Sequence, residues 1–213
     1  MRKDLLVVLG IVIIIAIGVS LFGNSVINWY IGTPVVVTQA PVSKTNTYTI
    51  PSYGFSITYP KTVIATSTVE ITYLLPTNWS VVETDVRGSV AQRFMLPKSD
   101  EILTAEIRIG ASDIGSNVSE CLASKPNFTS STETINGKEY TVLSGSDAGL
   151  GHYASTKSYR TVVNDTCFAI EELVYGVRGE NYDPPRQASY TMQDAESQLQ
   201  SIVDTMKFSP TLQ

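Results

Sequence analysis

The chain has 213 residues and a formal net charge of −5, and only 16% of its residues are charged, below the usual quarter. That length suits one membrane anchor plus one ordinary domain with room for a core. The acidic balance, with no Lys/Arg cluster or basic stripe, excludes nucleic-acid binding, which needs clustered cations to neutralise phosphates.

The chain begins Met1-Arg2-Lys3-Asp4 and then runs LLVVLGIVIIIAIGVSLF over residues 5–22, without a charge. As a helix this segment is about 27 Å long, enough with its flanks to cross a hydrocarbon core of about 30 Å. Trp29 and Tyr30 follow, where amphipathic rings prefer the membrane interface, and the next charge is Lys44. Arg2 and Lys3 before the span, with no nearby positive charge after it, place the N-terminus in the cytoplasm and the rest of the chain outside. A cleaved signal peptide is the alternative. Its apolar region is normally shorter, about 7–15 residues, and the nearest small-residue site, Ala16-Ile17-Gly18, falls inside the run. The expected location is therefore the cell membrane, single-pass, or secretion if residues 1–22 are removed. Beyond Asp4 the chain holds 13 basic and 19 acidic residues.

TPVVVTQAPVSKT (33–45) has two prolines and no helical period, as in an extended tether. TYTI (47–50), a PSYG turn and FSITY (55–59) read as a first hairpin ended by Pro60. VEITYLL (69–75) is a further strand, and AQRFML (91–96) and ILTAEIRIGA (102–111) form the next pair. In ILTAEIRI, Ile102, Ile107 and Ile109 interleave with Thr104, Glu106 and Arg108 at period two, with one slip around Leu103 to Ala105. Ile114, Val118, Cys121 and Leu122 recur on one face of a short helix, with Asp113 and Ser116 as candidate caps.

TETINGKEYTVL (132–143) carries Asn136-Gly137, the strongest short hairpin signal, because a type I′ turn needs positive φ at both central residues. GSDAGLG (145–151) has glycines but neither phosphate-loop nor GxGxxG spacing, and reads as a strand-linking loop. A long hairpin follows: HYASTKSYRTVV, a turn at Asn164-Asp165, then CFAIEELVYGV. After the loop DPPRQ (183–187), a helix over about 191–206 carries the apolar stripe Met192, Ala195, Leu199, Ile202, Val203 and Met206. Thr191 and Asp194 have the spacing of a capping box.

About eight strands in hairpins and two helices define an α+β domain. In the last strand Cys167, Ala169, Leu173 and Tyr175 point one way and Phe168, Ile170 and Val174 the other. Both sets are apolar, so the mainly antiparallel sheet is expected to carry a helix on each face. The organisation expected is a cytoplasmic stretch 1–4, a transmembrane signal anchor 5–22, a juxtamembrane linker 23–45 and an extracytoplasmic domain 46–210.

GFSITYP (54–60) near the domain start and SQLQSIVDTMKFSP (197–210) at its end resemble the PsbP/Mog-like α-β-α sandwich superfamily, which often opens with a GF-x-I-x-YP strand and closes with a helix running into T-[FM]-K-F. The resemblance covers about 46–210 in element order. It implies that fold and a habit of binding other macromolecules, and it supplies no functional residue.

Cys121 and Cys167 are the only cysteines. A disulfide between them fits if the first helix packs over the last strand, and an exported location permits oxidation; two separate buried thiols are the alternative. Two cysteines and the single, distant His152 do not make a structural zinc site. His152, following Gly149-Leu150-Gly151, reads either as a general base beside Ser144, Ser146 or Asp147, or as a surface residue at a strand start. Glu171 and Glu172 are adjacent in a strand and face opposite sides, so they are no carboxylate pair; one is expected to be buried against Arg160 or Lys157. Asn78, Asn117, Asn127 and Asn164 open glycosylation sequons, some of which a Ser/Thr-rich chain carries by chance.

No nucleophile–base set, metal cluster or phosphate loop emerges, and no catalytic, cofactor-binding or metal-ligating residue is assigned. The expected function is a membrane-anchored extracytoplasmic binding or assembly module with a protein or cell-envelope partner. Two alternatives are a small exported hydrolase using His152, and a small-ligand or lipid carrier with an apolar pocket.

Overall fold

Two alternating strands frame the architecture. FSITYP (β2, Phe55–Pro60) buries Phe55, Ile57 and Tyr59 and turns Ser56 and Thr58 outward, the period-two signature of a strand with one face on a core. TCFAIEELVYGV (β9, Thr166–Val177) is instead buried along nearly its whole length, so it must lie inside a sheet covered on both sides. A computed structural model describes residues 44–68, 79–82, 88–113, 118–185 and 190–209, all within one unit spanning 43–213. The expected span at 5–22, most of the tether, the strand at 69–75, Ile114, Ser116, Asn78 and Asn117 lie outside the described residues. Among the described residues no helix is long and apolar enough to cross a membrane.

β1 (Thr45–Ile50), β2 and the two-residue β10 (Lys207–Phe208) form one antiparallel sheet in the order β1-β2-β10. The second sheet has seven antiparallel strands in the order β3-β4-β5-β9-β8-β7-β6. Its members besides β9 are β3 (Ile64–Thr66), β4 (Ser89–Met95), β5 (Ile102–Asp113), β6 (Thr129–Ile135), β7 (Lys138–Gly149) and β8 (His152–Val163). Helix α1 is Val118–Leu122 and α2 is Met192–Val203.

The turns follow local chemistry. Asn136 and Gly137 both take positive φ (49° and 81°) and join β6 to β7, as the Asn-Gly pair predicts. Asn164 and Asp165 do the same between β8 and β9 (50° and 57°). The slip in β5 is a bulge: the pairing with β9 shifts between Ile102 and Thr104, and Leu103, left unpaired, is 36% exposed. Thr191 caps α2 with the reciprocal bonds of a capping box to Asp194.

Three expectations change. GSDAGLG is not a loop: β7 continues through Gly149, paired residue by residue with β8, and only Leu150-Gly151 turns. Small polar residues are poor strand formers alone, and the twelve-residue partner strand holds them in register. Val118 is 39% exposed rather than on the buried stripe; Cys121 is the buried residue of α1. The first hairpin, with β10, stands apart from the main sheet and shares one of its faces with α2. Phe55 of β2 stacks on Phe168 of β9 and Phe208 of β10 meets the same ring edge-to-face, and the same core takes in Leu199, Ile202 and Met206.

The two stretches that carry the family resemblance are hydrogen-bonded neighbours. Lys207 and Phe208 pair with Ser56 and Phe55, and the Thr205 hydroxyl accepts from Thr58 N–H (2.8 Å) while also contacting the Thr58 carbonyl (2.9 Å). The Asn136 amide donates to the carbonyls of Asp204 and Met206 at 2.8 Å each, tying the β6–β7 turn to the end of α2.

On the opposite face of the main sheet lie α1, residues 79–82 and a smaller core of Trp79, Cys121, Cys167 and Ala169. Cys121 and Cys167 form the disulfide, with Cα atoms 5.8 Å apart. Trp79 crosses β5 so closely that a Cβ at Gly110 would meet its carbonyl oxygen at 2.0 Å.

A candidate binding groove beside a buried carboxyl

The α2 face of the main sheet is apolar near the Asn136-Gly137 turn and polar further along. Tyr140, Val142, Tyr159 and Ile170 fill its apolar end. The next row toward the other end of β7 reads Thr129, Ser144, Lys157 and Glu172, register neighbours across β6, β7, β8 and β9. Directly opposed residues share a face, so two hydroxyl residues, an amine and a carboxyl stand in line. Ser144 and Ser155 present only short side chains on the face that α2 crosses.

The result is an open groove of about 910 Å³ between α2 and β7–β9. Its sheet wall includes Ser144, Ser155, Lys157 and Glu172; its helix wall includes Gln193, Glu196, Gln200 and Asp204. The helix residues recur every three or four positions, a polar stripe beside the apolar stripe Ala195, Leu199, Ile202 and Val203 that enters the core.

Glu172 is the unusual member. It is 7% exposed, and its Oε1 has no hydrogen-bond partner. Lys157 stands opposite it in register but turns its ammonium elsewhere: to Glu133 (3.0 Å), to Gln200 Oε1 (3.1 Å) and over the Tyr159 ring (4.8 Å). The Tyr159 hydroxyl donates to the same Gln200 oxygen at 2.7 Å, which holds the amide in place. Burial pushes the Glu172 carboxyl up to about 8; Lys157 opposes this, and Asp204, Glu196 and Glu133 reinforce it. At neutral pH the group is mostly protonated, able to donate or to accept.

Glu171 lies on the other face and is fully engaged. It accepts from Ser80 Oγ (2.7 Å), Ser158 Oγ (2.9 Å) and the Val81 N–H, with Arg160 at 4.0 Å. Arg160 donates also to Ser80 Oγ (2.6 Å) and to the carbonyls of Val82 and Cys121. Nearby, Glu106 bridges Arg93, whose Nε lies at 3.0 Å, and Arg108 at 2.9 Å. All five charged side chains are buried. Such buried networks hold segments together.

The expected burial of one glutamate is thus met by both, Glu171 beside Arg160 and Glu172 opposite Lys157. His152 is exposed at the start of β8. Its Nδ1 is 2.9 Å from the Tyr175 hydroxyl, and the two rings stack at 5.6 Å. Among the described residues no serine, cysteine or carboxylate hydrogen-bonds it, so the base–nucleophile pair that the hydrolase reading needs is not assembled there. Asp147 lines the same shallow hollow. For the carrier reading, the space between α2 and the sheet is filled by Ile107, Ile109, Leu199 and Ile202, and the groove beside it is polar. Asn127 and Asn164 are exposed.

Sequence reasoning noticed Glu172 but missed the groove. A carboxyl between Ile170 and Val174 on an otherwise apolar face was the available signal. So was the second, polar stripe of α2, which reads as an ordinary solvated face until the helix is seen to cross Ser144 and Ser155.

No family model matches the chain, and no curated protein sequence does. Among solved structures it is similar to the solution structure of cyanobacterial PsbP (CyanoP) from Synechocystis sp. PCC 6803, at 12% identity and a TM-score of 0.42, over 84% of this chain and 99% of that one. It is also similar to a crystal structure from Bacteroides thetaiotaomicron VPI-5482, at 14% identity and a TM-score of 0.40, over 78% of this chain and 49% of that one. The first belongs to the family that residues 54–60 and 205–208 resemble. Function does not travel with fold at this distance, and it is sought in this chain's own residues.

Proposed function

We propose that the chain is a single-pass, membrane-anchored extracytoplasmic domain that binds a partner or ligand in the α2 groove rather than catalysing a reaction. The observation that carries this reading is the groove itself: an open polar trough with a 93% buried, under-bonded carboxyl in its floor. Convergent polar groups and a perturbed carboxyl in one concavity support that reading. The uncharged run at 5–22, preceded by Arg2 and Lys3, supports the anchor and its orientation.

The test uses the full chain in intact membranes. A photoreactive side chain at Ser155 or Gln193, in the groove, is compared with one at Thr49 on the separate small sheet. The reading predicts a discrete crosslinked product from the groove positions that disappears when Ser155→Trp fills the trough from the other position. Identical products from groove and control positions would remove it. Protease added to intact cells should digest the domain; full protection would contradict the orientation.

A further inference from the structure

The groove carries more information than that it binds something. Among the described residues its charged lining is Glu172 on β9, Glu196 on α2, Asp204 at that helix's C-cap and one cation, Lys157 on β8, with Glu133 of β6 paired to Lys157 beside it. Lys157 is already held by Glu133 and Gln200. The trough is therefore anionic, and an anionic ligand would meet carboxylates with no free cation to receive it. A metal ion is a poor occupant too. Among the described residues no three acidic, histidine or cysteine side chains converge as a ligand set, whereas calcium wants six to eight oxygens. What the floor lacks is an N–H donor for Glu172 Oε1, a buried oxygen with no partner, and leaving such an atom unmet is costly.

We infer that the groove binds an organic cation bearing a primary ammonium group, which donates to the Glu172 carboxylate and completes the pair that Lys157 leaves open. The inference rests on the groove being the binding site. An ammonium can come from a free oligoamine or from the lysine side chain of a partner protein, and the recognition chemistry is the same for both. Because burial holds Glu172 mostly protonated at neutral pH, binding transfers its proton to solvent: the O–H bond breaks, the carboxylate keeps the electron pair, and the ammonium keeps all three hydrogens. Lys157 lowers the cost of that ionisation, while Glu133, Glu196 and Asp204 favour the arriving cation.

The full chain in detergent is titrated calorimetrically with 1,4-diaminobutane and with N-acetyl-lysine amide, in buffers of different ionisation enthalpy. Controls are 1,4-butanediol, which has the shape without the charge, and tetramethylammonium, which has the charge without N–H donors. Both amines are expected to bind saturably, releasing about one proton at pH 7 and gaining affinity about tenfold per pH unit from 6 to 8, with a plateau above. The diol and tetramethylammonium bind at least about tenfold more weakly, as does either amine to Glu172→Gln, the loss expected for one charge-assisted hydrogen bond. Tighter binding of the diamine assigns a free amine as the ligand; tighter binding of the lysine amide assigns a partner's side chain. The wild-type pH series needs no variant, so a misfolded Glu172→Gln does not blunt the test. Amine binding that is absent, independent of pH, or matched by the diol overturns the inference. If groove crosslinks persist while the amines fail, only the ammonium assignment falls; if the crosslinks fail, the groove reading falls with it.

Discussion

Glu171 and Glu172 are neighbours in β9, both nearly inaccessible to solvent, and their surroundings are opposite. On the α1 face Glu171 has two hydroxyl donors, a backbone N–H and a buried arginine. On the α2 face Glu172 has a lysine directly across that is engaged elsewhere, and an oxygen with no donor. A one-residue step along a strand moves a carboxyl from a closed network that fastens residues 79–82 to the sheet into an open trough that faces solvent. The two neighbours differ in what meets their oxygens: donors from the protein itself at Glu171, and at Glu172 an Oε1 without one.

Matched substitutions break this comparison most sharply. Glu171→Gln leaves Arg160 buried without its counter-charge, and removing one partner of a buried pair costs about 3–5 kcal/mol; urea unfolding of the full chain measures it. A loss below about 1 kcal/mol, the range of exposed pairs, would show that the α1 face is not held by this network. Next in size is the disulfide on the same face. It joins positions 46 residues apart, worth about 4 kcal/mol in the chain-entropy model. Cys121→Ala with Cys167→Ala should lower the unfolding midpoint accordingly, and a peptide map without reductant should show the linked pair; two free thiols would contradict it.

Glu172→Gln should behave in the opposite sense. Burial pushes the folded carboxyl up to about 8 from its ordinary 4.5, so between those values the native state binds the extra proton and wild-type stability falls as pH rises. Below about pH 4.5 both states are protonated and the two proteins match. The variant gains on the wild type from there to about pH 8, by on the order of a few kcal/mol, and the gain is constant above. A pH-independent difference would place Glu172 in ordinary surroundings. The smallest effect is expected at the groove's helix wall: Thr191→Ala removes the capping box of α2 and costs about 1 kcal/mol, read as a small drop in melting temperature.

Local signals were legible in the sequence where one residue decides the backbone. Asn136-Gly137, Asn164-Asp165, the Thr191–Asp194 cap and the slip at Leu103 each specify a turn, an end or a bulge by chemistry that needs no partner. The Cys121–Cys167 pair was legible because the chain offers no third thiol. What the sequence hid depends on what lies above a strand. Glu106 and Arg108, interleaved with Ile107 and Ile109, have the pattern of a solvated face, yet they are buried beside Arg93. β3 is three residues long, too short for a period. GSDAG has the composition of a loop and is held as strand by β8. The groove exists because α2 crosses the short Ser144 and Ser155 beside a row set by four-strand register, a relation spread from Thr129 to Asp204.

The most direct measurement is the titration of the Glu172 carboxyl itself, by infrared difference spectroscopy of the full chain against Glu172→Gln. The predicted result is a carboxyl band lost near pH 8 in the free protein and lost at lower pH when 1,4-diaminobutane is present, because a bound cation favours the ionised form. A carboxyl that ionises near pH 4–5, the range of an unperturbed glutamate, with or without the amine, would contradict the account.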